Sequence, residues 1–212
     1  MAEKDIKIKV IEYLLSKKIH DVVIPEVTVG HKSLTNTQVR ADIFALNGDI
    51  SIYEIKSEKD TLTRLQTQIG SYKQYANRVS VVVATKFLSK LDIDDSIGIY
   101  EVVSNGIREI RPPSHHELKK DDILEYWLSN ELKDFLFGYK GSSKMNKKDS
   151  IEFVKSLLND TQIYNATLHM LKGRYKEESS YIKEFKKFPK RGMQFNSNVV
   201  PLKKLPFGLL TP

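Results

Sequence analysis

The stretch DIFALNGDISIYEIKS, residues 42–57, decides the fold of this chain. Two β-rich segments flank Asn47-Gly48, a dipeptide typical of the tight turn of a β-hairpin. The same segments contain three charged side chains, although charge in the interior of a strand is costly to bury. These are Asp42, Glu54 and Lys56. The stretch therefore predicts a hairpin that keeps two acids and a lysine for a chemical reason.

The length of the turn decides which side chains share a face of this hairpin. A two-residue loop would place Asp42 and Glu54 on opposite faces. A three-residue loop with Gly48 in a left-handed bulge pairs Ala45 with Asp49 and puts the even-numbered residues on one face. We expect the second arrangement because it also gathers apolar side chains beneath a covering helix. The shared face would then hold Arg40, Asp42, Phe44, Ile52, Glu54 and Lys56.

The segments around the hairpin alternate between helical and β patterns. Apolar residues at helical spacing indicate helices, and continuous β-branched runs indicate buried strands. The predicted elements are helices at 4–18 and 59–77, strands at 20–29 and 78–85, a loop at 30–37 and an edge hairpin at 97–110. Together with the central hairpin they predict an α/β fold with the order α-β-β-β-α-β and a mixed central sheet.

The prolines at Pro112-Pro113 mark the clearest boundary in the chain, because proline stops a preceding strand. After them the pattern is mostly helical, which predicts an α-helical extension. The expected helices are at 115–138, at 147–159, and one or two within 161–187. We therefore divide the chain into a core at 1–111, a basic helical extension at 112–188 and a Pro/Lys-rich tail at 189–212.

Charge is unevenly distributed along the 212 residues. The net charge is +7, which favours a polyanionic partner. Residues 139–212 carry 15 Lys and Arg against 6 Asp and Glu, whereas residues 1–138 carry 19 against 21. The excess positive charge therefore lies in the C-terminal third.

Several classes of protein are excluded or disfavoured by composition. The chain has no cysteine, which excludes disulfides, a thiol nucleophile and a cysteine-based zinc site. Residues 1–15 lack the apolar core of a signal peptide. No apolar run approaches the ~20 residues that span a membrane. We expect a soluble, cytoplasmic protein that does not bind membranes.

Two carboxylates on adjacent strands of one face repel each other unless a cation compensates them. A hard divalent cation, Mg²⁺ or Mn²⁺, is the simplest solution, because Mg²⁺ prefers oxygen ligands and keeps several waters. Asp42, Glu54 and the carbonyl of Ile55 would hold this ion. Lys56 would point at the attacking water or at a scissile phosphate. The pattern predicts phosphodiester hydrolysis.

Ala41-Asp42 and Glu54-Ile55-Lys56 resemble the motif of the PD-(D/E)XK nuclease superfamily, whose fold is restriction-endonuclease-like. The resemblance covers about residues 4–104 and is strongest to small bacterial and phage predicted nucleases, including MmcB-like DNA-repair proteins. Ala41 replaces the proline that names the motif, a position that is not a ligand. In those proteins a Glu precedes the hairpin, and the following helix carries a Gln and a Tyr. Their counterparts here are Glu26, Gln68 and Tyr72.

Each secondary candidate has a structural alternative. Glu26 would be a third catalytic carboxylate or a surface charge at a strand end. Gln68 would orient a phosphate or water, and Arg64 and Tyr72 would contact the nucleic-acid backbone from the same helical column. The alternative is a solvated helix face with Tyr72 in the core. Arg40 would hold a phosphate or form an ion pair with a nearby acid.

The stretch GYKGSSKMNKKDSIEFVKSLL, residues 138–158, looks faintly like small helix-loop-helix DNA-binding modules of the SAP kind. Its basic residues Lys144, Lys147 and Lys148 are candidates for backbone contacts with nucleic acid. The alternative is an ordinary solvated lysine face on a helical bundle.

These observations favour a metal-dependent nuclease acting on DNA, an endo- or exonuclease of phage or bacterial type. A homodimer is one arrangement that would bring two sites to two strands. Two other functions stay open. The chain could bind nucleic acid without catalysis on the same fold, or it could be a phage-type factor whose basic tail engages an acidic protein.

Overall fold

The computed structural model describes residues 3–30, 38–190 and 193–195. Within these residues one six-stranded mixed sheet has its strands in chain order. The strands are β1 (Val22–Val29), β2 (Val39–Asn47), β3 (Asp49–Lys56), β4 (Arg78–Ala84), β5 (Gly98–Val103) and β6 (Gly106–Arg111). β1, β2 and β3 pair antiparallel, β3, β4 and β5 pair parallel, and β6 returns antiparallel to β5.

Helices cover this sheet and continue beyond it. They are α1 (Glu3–Ser16), α2 (Leu65–Tyr75), α3 (Lys120–Leu124), α4 (Ser129–Leu136), α5 (Lys147–Leu157) and α6 (Asp160–Phe185), with 3₁₀ turns at Thr85–Lys90 and Ser142–Lys144. The observed order up to β4 is α-β-β-β-α-β, and helices follow the sheet, so the predicted mixed α/β class with a C-terminal helical region is confirmed. No helix in the described ranges is long and apolar enough to cross a membrane.

The two faces of the sheet have separate cores. α1 packs on one face, where Ile6 and Val10 meet Ile43 and Tyr53. α2 covers the other face. Its apolar side chains, together with Leu168 and Leu171 of α6, meet the even-numbered apolar residues of the hairpin. Alternate residues of β2 and β3 therefore serve opposite layers, which is the normal consequence of the two-residue period of a strand.

The central hairpin has the predicted facing but a different register. Phe44 and Ile52 are paired and lie in one core cluster, which confirms that even-numbered residues of this part share a face. The predicted pairing of Ala45 with Asp49 is wrong, because Asp49 pairs with Asn47. Gly48 alone separates the paired residues, with a φ of +70° that a residue without a Cβ adopts easily. The tighter turn shifts the pairing by two residues, so the facing is unchanged.

Two predicted helices have different bounds. The helix predicted at 59–77 begins only at Leu65, because Asp60 accepts hydrogen bonds from the backbone N–H and hydroxyl of Ser57 at 2.8 and 2.5 Å and closes a turn there. The segment 115–138 is not one helix but α3 and α4. Conversely, the segment 161–187 is almost entirely the single helix α6. Residues 31–37 of the predicted loop and most of the tail predicted at 189–212 lie outside the described residues.

The C-terminal helices build a core of their own around Trp127, which is fully buried. The indole Nε1 donates a hydrogen bond of 2.7 Å to the hydroxyl of Thr167 on α6. α6 also packs along β1, where the Ser179 hydroxyl accepts the N–H of Val23 at 3.0 Å. The edge of the sheet at β1 is therefore covered by α6, which protects it from pairing with another chain.

Gly98 at the start of β5 provides a test of this packing. A Cβ at this position would clash with the Ser80 hydroxyl and lie 2.8 Å from Pro113 Cδ. We expect Gly98→Ala to lower the free energy of unfolding by about 1–3 kcal/mol, the usual cost of overpacking. Gly70→Ala on α2 is the matched control, because nothing lies within 4 Å of a Cβ there. It should be neutral or stabilise by up to about 1 kcal/mol. Urea unfolding of both variants checks this, and equal effects would contradict it.

Candidate active site

Asp42 lies where the β2–β3 ladder ends. The last pair of the ladder is Ile43 with Tyr53, one step before Asp42 and Glu54 would oppose each other. Beyond this pair, the Asp42 side chain accepts a hydrogen bond that a backbone carbonyl would accept in a regular ladder. Its Oδ2 accepts the N–H of Ile55 at 2.9 Å. The carboxylate is therefore held against the neighbouring strand.

Glu54 is the most deeply buried acid of the hairpin, with 2% of the residue exposed. Its Oε1 accepts hydrogen bonds from Lys56 Nζ at 2.7 Å and from Gln68 Nε2 at 2.6 Å. Its Oε2 accepts the Tyr72 hydroxyl at 2.6 Å. Burial, and then the charge of Asp42, raise the pKa of Glu54, although the bonds from Lys56 and Tyr72 oppose this. Asp42 therefore lies close enough to Glu54 for its charge to raise the pKa of Glu54.

α2 supplies two of these partners from one column of side chains. Gln68 and Tyr72 are four residues apart, one helical turn, and both reach Glu54. Gln68 Oε1 also accepts Lys56 Nζ at 2.9 Å, so Glu54, Lys56 and Gln68 form a closed triangle of hydrogen bonds. Arg64 stands exposed at the N-terminal end of the same helix.

Tyr72 lies in the core, which is the structural alternative given for it above, and not on the exposed face of the helix. The residue is 1% exposed, and its hydroxyl bridges Glu54 and the carbonyl of Arg40. These two hydrogen bonds hold the hydroxyl in place, and the bond to Glu54 fixes the position of its carboxylate. Burial, and then the charge of Glu54, raise the pKa of Tyr72, so the phenol stays protonated and donating.

Arg40 does not share the face of Glu54. Ala41 lies in the same core cluster as Phe44, so the alternation of β2 breaks at Asp42. On the partner strand β1, Glu26 has a φ of +58°, a rare conformation for a residue with a side chain. The Arg40 guanidinium turns to Glu26 at 3.4 Å. The prediction of a shared face is therefore wrong for Arg40, and the alternative of an ion pair is what the structure has.

Glu26 and Asp42 meet at Lys7, a residue that the hairpin motif does not contain. Lys7 Nζ on α1 lies 3.0 Å from Asp42 Oδ1, 2.9 Å from Glu26 Oε1 and 2.8 Å from Glu3 Oε1. Burial acts to lower the pKa of Lys7, but hydrogen bonds to Glu3 and Glu26 and the charge of Asp42 outweigh it and raise the pKa. Hydrogen bonding to Lys7 in turn lowers the pKa of Glu26. Glu26 thus contacts Asp42 through an ammonium group.

A signal for Lys7 was present in the sequence. Lys7 precedes Ile11 by one helical turn and Leu14 by two, so a charged side chain interrupts the apolar stripe of α1. A lysine in such a stripe is almost never fully buried unless it is paired with acids. Only the fold reveals which acids these are.

The donors at this site fit a divalent cation in kind. In the described part of the chain, no group of three or more His, Cys, Asp or Glu side chains is arranged to hold a metal. The acids around Lys7 surround its ammonium nitrogen at 2.8–3.0 Å, so a cation already occupies the space between them. A Mg²⁺ ion would need oxygens closer, at roughly 2.0–2.1 Å. Asp42 and Glu54 remain as a carboxylate pair, and burial, followed by the charge of Asp42, raises the pKa of Glu54. Carboxylate and carbonyl oxygens are hard donors of the kind that suits Mg²⁺ or Mn²⁺, with waters completing the shell.

The shifted pKa of Glu54 predicts a dependence of stability on pH. The folded-state pKa lies above the ordinary value of 4.5, so the stability contributed by protonated Glu54 is complete below pH 4.5 and is lost as pH rises through the raised pKa. Glu54→Gln mimics the protonated acid. We expect its free energy of unfolding to rise relative to wild type between about pH 4 and pH 8, without divalent ions. A difference that stays constant in urea unfolding across this range would refute the shift.

The candidate lysines of the extension lie on other elements. Lys144 belongs to the 3₁₀ turn after α4, and Lys148 lies in the first turn of α5, both exposed. Lys147 is half-buried, and burial lowers its pKa, with Glu125 raising it. These lysines lie on the helical extension, whereas Asp42 and Glu54 lie on the sheet. The packing of the extension on the sheet therefore sets the distance between them. Lys144 and Lys148 therefore have the exposure that a phosphate contact needs, and Lys147 has less.

Comparison with known proteins places the chain in a family. Residues 1–194 match the profile of the family described as Bacteriophage P4 protein cII. Protein cII of Enterobacteria phage P4 is 30% identical over 192 residues, which cover 85% of this chain and 70% of that protein. Among solved structures, a protein of unknown function from Silicibacter pomeroyi matches with a TM-score of 0.44 and 16% identity, covering 59% of this chain and 84% of that one. Because the family profile spans most of its length, the chain belongs to the bacteriophage P4 protein cII family.

Proposed function

We propose that this protein is a metal-dependent nuclease that hydrolyses phosphodiester bonds of DNA at the Asp42–Glu54 pair. The observation that carries the proposal is the position of Glu54. It is buried, raised in pKa by burial and by Asp42, and bonded to Lys56 and Gln68. Buried titratable groups with a shifted pKa and a specific charged partner cluster at functional sites, which favours a chemical role for this arrangement.

Each residue of the site would have its own role in hydrolysis. Asp42 and Glu54 would hold the cation, together with the carbonyl of Ile55. When bound, a divalent cation lowers the pKa of a water and offsets charge on the phosphate. Tyr72 keeps Glu54 in place through its hydroxyl. Lys56 Nζ lies 2.7 Å from Glu54 Oε1 and would hold a phosphate oxygen, and Gln68 Oε1 orients it by accepting its hydrogen bond at 2.9 Å.

We also propose that the fold is restriction-endonuclease-like. The α-β-β-β-α-β order of the described elements supports this. Arg64, exposed at the start of α2, would contact the DNA backbone beside the site. The setting would be the cytoplasm of a phage-infected or phage-carrying bacterium, in keeping with the cII family. A homodimer would bring two such sites to the two strands of a duplex.

A cleavage assay with a matched variant tests the proposal. Wild-type protein with DNA and Mn²⁺ should cut, and EDTA should stop the reaction. Asp42→Asn should abolish cutting, because it removes a ligand charge while keeping the shape and the hydrogen bond from Ile55. Asp21→Asn, outside the site, should cut like wild type. A preparation that cuts equally well with Asn at position 42 owes its activity to another site or a contaminant.

A specific observation favours a second function, a non-catalytic nucleic-acid binder. Asp42 Oδ1 already has an ammonium partner in Lys7 at 3.0 Å, so the chain can compensate this acid without a metal. In this reading the hairpin acids are structural, and the extension supplies the affinity. Binding would then be indifferent to Mg²⁺ and would weaken steeply with salt. A titration of DNA binding with and without Mg²⁺ separates the two functions.

Both functions predict that exposed lysines of the extension bind DNA. We expect a variant with Lys144→Ala and Lys148→Ala to bind more weakly at low salt, and the slope of log K against log salt to fall by about 2, roughly 0.9 per phosphate contact. The control replaces Lys120 and Lys155, which are paired with Asp160 and Asp121. Fluorescence anisotropy with a labelled duplex measures both. If the control pair loses as much affinity as the test pair, the basic surface is not localised as we describe.

A further inference from the structure

Both oxygens of Asp42 are engaged, and the two engagements differ in kind. Oδ2 accepts a backbone N–H from Ile55, which leaves the charge of the carboxylate uncompensated. Oδ1 faces the ammonium of Lys7, a full positive charge brought by α1 from the face opposite α2. Any cation that binds the Asp42–Glu54 pair must therefore share Asp42 with Lys7.

We propose that Lys7 is an internal competitor of the divalent cation at Asp42, and that its charge sets how weakly the site binds metal. This inference rests on the proposed metal site. It assigns to Lys7 a role in tuning that site, which the hairpin motif does not contain. Lys7 is buried and would act on the metal only through Asp42, so it is a positioning residue.

The competition follows from how firmly Lys7 is held. Its ammonium contacts Glu3 and Glu26 as well as Asp42, all within 3.0 Å. The two additional acids hold the Lys7 ammonium in place when a second cation arrives, so it is not simply displaced. Two cations on one carboxylate repel each other, and the repulsion is stronger in a partly buried site than in water. The repulsion from Lys7 therefore weakens metal binding, and a neutral side chain at position 7 would remove this repulsion.

The sign of the effect separates this role from a purely structural one. If Lys7 only anchors Asp42, removing it lets the carboxylate drift and metal binding weakens. If Lys7 competes, removing its charge frees Oδ1 and leaves additional negative charge from Glu3 and Glu26 nearby, so metal binding tightens. Arginine keeps the charge and should keep the weak binding.

The test measures Mn²⁺ binding to the full chain without DNA, by the electron paramagnetic resonance signal of free Mn²⁺. We expect Lys7→Met to bind Mn²⁺ at least tenfold more tightly than wild type, and Lys7→Arg to stay within threefold of wild type. Lys9→Met is the matched control on the same helix, because Lys9 Nζ bonds the carbonyl of Ser104 and no acid of the site. It should leave Mn²⁺ affinity unchanged.

Unchanged or weaker Mn²⁺ binding by a folded Lys7→Met protein overturns the inference, and circular dichroism establishes that the variant is folded. Should methionine prevent folding, Lys7→Gln replaces it with the same expected gain. The readout is independent of cleavage. Wild-type protein that never cuts DNA would remove the proposed nuclease while a tenfold gain in Mn²⁺ affinity would still support the competition.

Discussion

Lys56→Met is expected to slow Mn²⁺-dependent cleavage by about 10²–10³-fold, the usual cost of losing one charged stabiliser of a transition state. The ammonium of Lys56 lies 2.7 Å from Glu54 and 2.9 Å from Gln68. Methionine has nearly the same length and flexibility but no charge, so the substitution tests charge rather than volume. The measurement is the single-turnover rate with saturating Mn²⁺.

The control for this experiment lies three residues further along the chain. Lys59 is exposed and follows the strand that carries Lys56. Lys59→Met removes the same charge from the protein as a whole and should change the rate by less than threefold. Comparable losses in the two variants would mean that overall charge, and not the lysine of the site, controls the reaction.

The largest effect on stability is expected at Trp127. Trp127→Ala should lower the free energy of unfolding by about 3–5 kcal/mol, because it leaves a cavity in the core of the C-terminal helices. The indole also donates to Thr167, and Trp127→Phe, which loses mainly this bond, should cost less, about 1–3 kcal/mol. Phe137→Ala, at a residue that is 78% exposed, should be nearly neutral.

Urea unfolding with matched m-values compares these variants. An alanine variant at Trp127 that unfolds within 1 kcal/mol of wild type would show that the second core contributes little to the folded state. The order alanine, phenylalanine, wild type is the expected ranking.

The fold was predictable to the extent that local pattern determines it. The facing of Phe44 and Ile52 follows from the two-residue period of strands, and the buried run of β4 follows from its apolar composition. The register was missed because Gly48 permits a tighter turn than a three-residue loop, and both turns preserve the facing. The late start of α2 was missed because Asp60 and Ser57 form a local turn that competes with helix.

The site was predictable where it depends on one hairpin and less so where it depends on distant elements. Asp42, Glu54 and Lys56 lie on adjacent strands, and the pattern alone brings them together. Arg40 departs from the expected face because the alternation breaks at Asp42, opposite the positive φ of Glu26. Lys7 approaches from α1, across the sheet, and only tertiary packing brings its ammonium to Asp42.

A crystal grown with Mn²⁺ would show whether Asp42 and Glu54 hold a metal ion. We expect an anomalous peak in direct contact with a carboxylate oxygen of both Asp42 and Glu54, with Lys56 beside it. Crystals that show no Mn²⁺ peak between these side chains, with Lys7 and Lys56 still the partners of the two acids, would contradict it.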